Sequence, residues 1–195
     1  MDQKKLPVDR RLQVVEAAAR SFAMFGYKAT TMDLVSKIAS VGKGTIYTFF
    51  ATKEELFDEI IGQLTHELRA LAERTIDREA PFFDNLAKVL HELLRFRSKH
   101  ELIVKLSQEV RDLGTPMAKE GTAKLEQAIV HFIQQEVALA VDKGELRPVD
   151  PGLTAFIMLK LYISLAVDWS NQHEPLSHED IAGYFTALLK SGVGN

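Results

Sequence analysis

TTMDLVSKIASVGKGTIYTFFATKEE, residues 30 to 55, decides how the rest of the chain is read. Thr30-x-x-Asp33 is a hydroxyl-x-x-acid start signal, which sets a side-chain oxygen over the first free N–H groups of a helix. Met32, Leu34, Val35 and Ile38 then supply an apolar stripe at helical spacing. Ala39-Ser40-Val41-Gly42 is a short turn, and a second helix is expected over residues 43–50, with Ile46, Phe49 and Phe50 on one face. Two short helices joined so tightly form a helix-turn-helix, whose second helix can enter a DNA major groove. Thr52-x-x-Glu55 opens a third, longer helix with a capping box.

The residue types in this stretch suit DNA. Gly42 and Gly44 flank the start of the expected recognition helix, where a missing Cβ lets backbone approach a phosphate or a base edge. Lys43 and Lys53 bracket the element with positive charge, and Thr45, Tyr47 and Thr48 offer hydroxyls to phosphates or bases. Lys28, Thr30 and Thr31 are placed as further contacts to the DNA backbone. The stretch resembles the N-terminal domain of the TetR family of bacterial transcriptional repressors. Phe25-Gly26-Tyr27, Thr30-Thr31-Met32, Lys43 to Tyr47, Phe50 and Lys53 to Phe57 carry the likeness, which runs from about Arg11 to Ile61.

Two positions depart from the family pattern. Ser40 stands where the family usually has Gly, and a left-handed angle there costs Ser roughly 1 kcal/mol more than Gly. Gly42 stands where the family usually has Ser or Thr, and Gly is a tolerated N-cap. Both swaps bear on turn geometry, not on the motif.

Composition narrows the alternatives. The 195 residues suffice for one large domain or two small ones, and 46% hydrophobic with 26% charged content is that of a globular protein. The absence of cysteine rules out disulfides and suits a reducing compartment, so a cytoplasmic location is expected. MDQKKLPVDRR lacks a signal-peptide core, and the longest apolar run, 153–169, has Lys160 at its centre. That run is expected in a bundle, not a membrane. Net charge is −3, yet the first 53 residues hold nine basic side chains against four acidic ones, leaving −8 on the remainder. A basic head on an acidic body is the asymmetry expected where one end meets phosphate.

Along the chain, Asp9 caps a first helix with Leu12, Val15, Ala19, Phe22 and Ala23 buried, stopped by Gly26. The long helix from Lys53 passes through Leu56, Ile60, Leu64, Leu68 and Leu71 towards Asp77. Further helices are expected after Pro81, over 101–113, over 117–142 with Phe132 inward, from Asp150, and from Ser177 to about Leu189. The expected fold is therefore all-α. A three-helix helix-turn-helix domain at 1–52 precedes a helical bundle at 53–195 for ligand binding and dimerisation.

No constellation for catalysis appears. The six histidines are scattered, and G-x-S-x-G, P-loop and H-E-x-x-H patterns are absent, so no enzyme activity, metal or cofactor is expected. Met158, Tyr162, Leu165 and Trp169 share one side of their helix, as core or as a cavity wall. His91, Arg95, Glu109 and Glu136 are candidate polar groups for a ligand, with Phe132, Tyr162 and Trp169 as apolar ones. The last helix, with Tyr184, Phe185 and Leu188, offers more apolar surface than a monomer could bury. Resemblance to TetR proteins implies that these residues join a four-helix dimer interface. It also implies a homodimeric repressor on a palindromic double-stranded operator, released by a small, largely apolar effector. The alternatives are a helical ligand-binding module or enzyme without DNA function, and a DNA-binding regulator controlled by a protein partner.

Overall fold

A computed structural model describes residues 9–95 and 97–194. Asp9 opens α1 (Arg10–Ala29), its carboxylate accepting from Arg11 N at 3.0 Å and Leu12 N at 3.2 Å. Helical geometry breaks at Gly26, where φ is 80° and ψ 175°, a conformation that strains any residue with a Cβ. The buried face comprises Val14, Val15, Ala17, Ala18, Ser21 and Phe22, and Leu12 is half-exposed. Of the expected stripe, Val15 and Phe22 are buried, Ala19 and Ala23 are only partly so, and Leu12 is not.

α2 (Met32–Ala39) begins one residue later than expected, because Thr31, not Thr30, accepts from Leu34 N at 3.1 Å. Ser40 closes it in the left-handed region at φ 52°, and its N–H reaches Lys37 O. The strain anticipated for a serine at this position is present. Gly42 starts α3 (Lys43–Tyr47) without a side-chain cap. This helix is shorter than expected. The N–H groups of Phe49 and Phe50 both turn onto Ile46 O, so Phe50 is buried while Phe49 points outward. α4 (Lys53–Thr75) opens with Thr52 Oγ1 accepting from Glu55 N at 3.1 Å, and Glu55 returns to Ala51 N at 2.8 Å.

The rest of the chain forms α5 (Phe82–Arg95), α6 (Arg97–Leu113), α7 (Pro116–Asp142), α8 (Pro151–Ile163) and α9 (His178–Val193). Among the described residues no strand forms, only an isolated antiparallel bridge between Leu146 and Gly194. Two compact units result. One holds the chain through Leu64 together with Ser98–Ala123; the other holds Thr65–Arg97 and the chain from Lys124 onward.

In the first unit, Phe22, Tyr27 and Phe57 form a ring cluster with centroids 4.9 to 5.9 Å apart. Gly121 of α7 packs on it so closely that a Cβ would lie 2.5 Å from Phe57 Cε1. In the second unit, Leu90, Leu94, Val137, Ala140, Leu146, Met158, Tyr162, Ile181, Phe185 and Leu189 make the core. α8 is capped by Asp150, whose carboxylate takes Leu153 N at 2.6 Å, and α9 by Ser177. α8 was expected to run unbroken to Trp169; instead a π turn (Ser164–Asp168) and a 3-10 turn (Trp169–Asn171) replace its end. Pro151–Asp168 is long and apolar enough to cross a membrane. Its inner side, with Met158 and Tyr162, is nonetheless built into this core, and Lys160 pairs with Glu126 at 2.7 Å.

Gly121 and Gly62 make a matched test of this packing. Gly121→Ala overpacks against Phe57 and should lower the unfolding free energy by roughly 1–3 kcal/mol in urea titrations. At Gly62 nothing lies near the missing Cβ, and Gly62→Ala should raise it by roughly 0.5–1 kcal/mol.

Candidate nucleic-acid interface and ligand pocket

α3 presents one buried residue and a polar outer surface. Ile46 is fully buried and anchors the helix, leaving Gly42, Lys43, Gly44, Tyr47 and Thr48 exposed and Thr45 partly so. No atom lies within 4 Å of the position a Cβ would take on Gly44, so backbone there is open to close approach. Lys43 Nζ rests 2.7 Å from the Asp33 carboxylate, which holds the lysine above and the aspartate below their usual titration ranges. The pair is fully solvated. Exposed pairs are weak, so Lys43 can exchange Asp33 for a phosphate or base at little cost. Thr48 Oγ1 donates to Thr45 O at 2.6 Å. Lys28 and Thr31 are exposed beside these groups in sequence.

Two residues expected at the DNA surface have other employment. Thr30 is fully buried: its hydroxyl donates to Gly26 O at 2.8 Å and lies 3.0 Å from Ser21 Oγ, so it has no path to a phosphate. Lys53 is half-buried. Its ammonium donates to Tyr27 O at 3.0 Å and Thr30 O at 3.1 Å, and sits 4.0 Å from the Tyr27 ring centre. Tyr27 Oη in turn donates to Glu54 at 2.5 Å, which lowers the Glu54 carboxyl below its usual range. Burial and the Glu54 bond push the Tyr27 phenol up.

Among residues expected to meet a ligand, Phe132 and Glu136 line a cavity of about 400 Å³ in the second unit. Its walls come from the turn after α4 (Ile76, Arg78, Ala80), from α5 (Phe82, Asn85, Leu86, Val89), from α7 (Phe132, Ile133, Glu136, Leu139, Ala140), and from Met158 of α8. Lys143 and Glu145 complete the polar rim. The other five candidates lie elsewhere. His91 and Arg95 are exposed, Arg95 being 3.5 Å from Glu92. Tyr162 is packed in the apolar core, where burial raises its phenol. Trp169 is exposed, stacked on His173 at 3.9 Å, with its N–H donated to Glu174 O. Glu109 belongs to the first unit, where it accepts from Lys28 N at 2.9 Å.

Sequence reasoning missed Arg78, Asn85, Lys143 and Glu145. The available signal was the polar turn before Pro81. There Asn85 fastens the backbone through Asp77 N, Asp77 O and Ala80 O, and Glu145 accepts from Phe82 N.

Residues 14–60 match the family model described as bacterial regulatory proteins, tetR family, and residues 79–193 match the tetracyclin repressor-like C-terminal domain. The chain belongs to the TetR family. It is 46% identical to the HTH-type transcriptional regulator YhgD of Bacillus subtilis (strain 168), over 96% of this chain and 98% of that one. A Rhodococcus sp. protein assigned to the TetR family of transcriptional regulators shares its fold with a TM-score of 0.79 at 21% identity, covering 93% of this chain and 97% of that one. AibR, solved in complex with isovaleryl coenzyme A and operator DNA, aligns with a TM-score of 0.69 at 22% identity, over 92% of this chain and 97% of that one. This TetR-family chain is accordingly a DNA-binding, ligand-responsive transcription regulator with an N-terminal helix-turn-helix and a C-terminal helical domain.

The two lysines of the motif should separate in stability measurements without DNA. Lys53→Ala strips two backbone carbonyls of a charged donor and should cost roughly 1–3 kcal/mol in chemical denaturation. Lys43→Ala, which removes only a solvated partner, should leave the denaturation midpoint close to that of the wild type.

Proposed function

We propose that this regulator is a homodimeric repressor in which α3 of each head reads one half of a palindromic operator. The observation that carries the reading is the exposed polar face of α3 over a single buried anchor, Ile46. On this reading Lys43, Thr45 and Tyr47 meet bases, while Lys28, Thr31, Thr48 and the backbone at Gly42 and Gly44 meet phosphate. Lys53 acts from behind, fixing the carbonyls that end α1. One helix of five residues contacts few base pairs, so useful affinity needs two half-sites.

The outward apolar residues of α8 and α9 support the dimer. Leu153, Phe156, Ile157, Tyr184 and Leu188 are each about half-exposed or more, at i, i+3 or i+4 spacing along their helices. Phe185, expected at this interface, is 2% exposed and packs in the core of its own unit, which is where a residue one position from the outward stripe falls. The cavity supports a small effector with a largely apolar body, since most of its walls are aliphatic or phenyl groups. α4 and α7 each pass from one compact unit into the other, which gives ligand-dependent shifts at the cavity a covalent route to the head. The effector acts to the extent that it prefers one of the two states.

An operator fragment recovered by in vitro selection tests the DNA contacts. Tyr47→Ala and Lys43→Ala should each weaken it by roughly 1–3 kcal/mol in anisotropy titrations, with helical content intact. Undiminished affinity would remove α3 as the reading element. For the interface, Leu188→Asp should give a folded monomer by sedimentation, because a carboxylate would be buried against its symmetry mate, and operator binding should collapse with it. Phe185→Asp should instead unfold the second unit.

A further inference from the structure

The cavity contains an ion pair whose members are unequally buried. Arg78 and Glu136 are joined by two hydrogen bonds, 2.7 and 3.0 Å, yet 56% of the arginine side chain is exposed against 18% of the glutamate. That asymmetry decides which member can change partner. An anionic ligand would have to draw Arg78 away and leave a mostly buried carboxylate beside Phe132 and Leu139 without its counter-ion. The penalty for such a charge is large. A cationic ligand would take Arg78's place, and the displaced guanidinium would move into water it already touches.

The neighbouring charges point the same way. Glu145 is committed to Phe82 N and lies 4.0 Å from Lys143, whose ammonium donates to Arg78 O at 2.9 Å. The backbone of Arg78 is therefore tethered by Lys143, while its half-exposed side chain is held by Glu136. Counting Glu79, the cavity lining holds three carboxylates against two cations, and once Arg78 swings out Lys143 is the one cation left among them. The pair also borders a second hollow, lined by Arg69 and Glu73 together with Arg78, Phe132, Glu136 and Leu139. Rotation of Arg78 removes one of the four side chains common to both.

We propose that the effector is a monocationic amphiphile, an ammonium on an apolar tail, whose cation replaces Arg78 on Glu136 while its tail lies against Phe82, Leu86, Phe132 and Met158. This rests on the reading of the cavity as the effector site. A decyl tail suits a space of about 400 Å³.

The test uses the full-length protein on its selected operator, with decyltrimethylammonium, decanol and decanoate as probes below their micellar concentrations. Calorimetry should show the ammonium binding roughly tenfold or more tightly than decanol, with decanoate weakest, and DNA should be released over the same concentrations. Glu136→Gln should bring the ammonium down to decanol's level. Arg78→Ala, with its competitor for Glu136 gone, should tighten the ammonium several-fold, and this second variant decides the matter if the first does not fold. Release of DNA by decanoate or decanol at least as readily as by the ammonium would overturn the cationic preference and keep the effector cavity. Binding by none of the three would overturn both.

Discussion

The head depends on one constraint: the backbone groups freed where α1 breaks at Gly26 must find partners inside protein. An unpaired buried N–H or C=O costs about as much as a lost hydrogen bond, and five residues leave or cap the helix here. The partners come from the segment itself, from α4 and from α6. Thr30 Oγ1 takes Gly26 O, Lys53 takes Tyr27 O and Thr30 O, and Glu109 takes Lys28 N. A Cβ on Gly26 would overlap the Glu109 carboxylate, so the glycine serves both the angle and the approach. The segment thus ties α1, α4 and α6 of one unit together through charged or hydroxyl donors and acceptors, the strongest kind available to a neutral backbone.

α2 and α3, with eight and five residues, are far below the length at which a helix persists alone in water. Their shape is therefore imposed by the frame around them. Gln13 Nε2 donates to Ala39 O at 2.7 Å, fixing the end of α2 to α1 just before Ser40 enters the left-handed region. Val35, Ala39 and Ile46 fill the inner side, and Arg11 lies over the Phe50 ring at 5.1 Å. With the inner side so fully engaged, α3 is left with glycine, lysine, tyrosine and threonine facing out. Packing of this kind behind the face proposed to read DNA leaves little ordering to oppose binding.

The helix-turn-helix was legible in sequence because its signals are local. Capping oxygens, the i, i+3, i+4 stripe and the Ser40 and Gly42 turn act within a few residues of each other. Where reading failed, the deciding interaction was distant. Thr30 and Thr31 are adjacent hydroxyls, and only Ser21 and Gly26 on α1 decide that the first is buried and the second caps α2. Lys53 looks like a free cation until the carbonyls 23 and 26 residues upstream are known. Glu109 looks like a ligand group on a bundle helix until Lys28 N is found on it, 81 residues away. In the second unit the side of α8 read as core or cavity wall is the inner one at Met158 and Tyr162, though not at Trp169. Met158 and Tyr162 turn inward, and Phe156 and Ile157 outward. Trp169 fell outside the cavity because a π turn re-aims the chain after Ile163, a change in register that helical periodicity cannot foresee.

Those same local and distant terms set the energy available to a regulator of this kind. Allosteric coupling typically amounts to roughly 1–3 kcal/mol, a small fraction of what holds either unit together. A ligand that merely filled the cavity in both states would contribute nothing to that difference, however tightly it bound. What distinguishes the states must be an element able to sit in either of two arrangements. Most of the cavity wall cannot, because Ala140 and Met158 are locked in the core with Phe82, Leu86 and Ile133 packed against it, and Asn85 holds the turn after α4 by three backbone bonds. Arg78 is different: it lies on that fastened turn, half in water, with its guanidinium on a carboxylate of α7, a helix that also runs through the unit containing the head. Exchanging that one contact releases α7 at Glu136 from the turn after α4 without disturbing the packed core. On the proposed exchange, the cavity is tuned by charge first and by shape second.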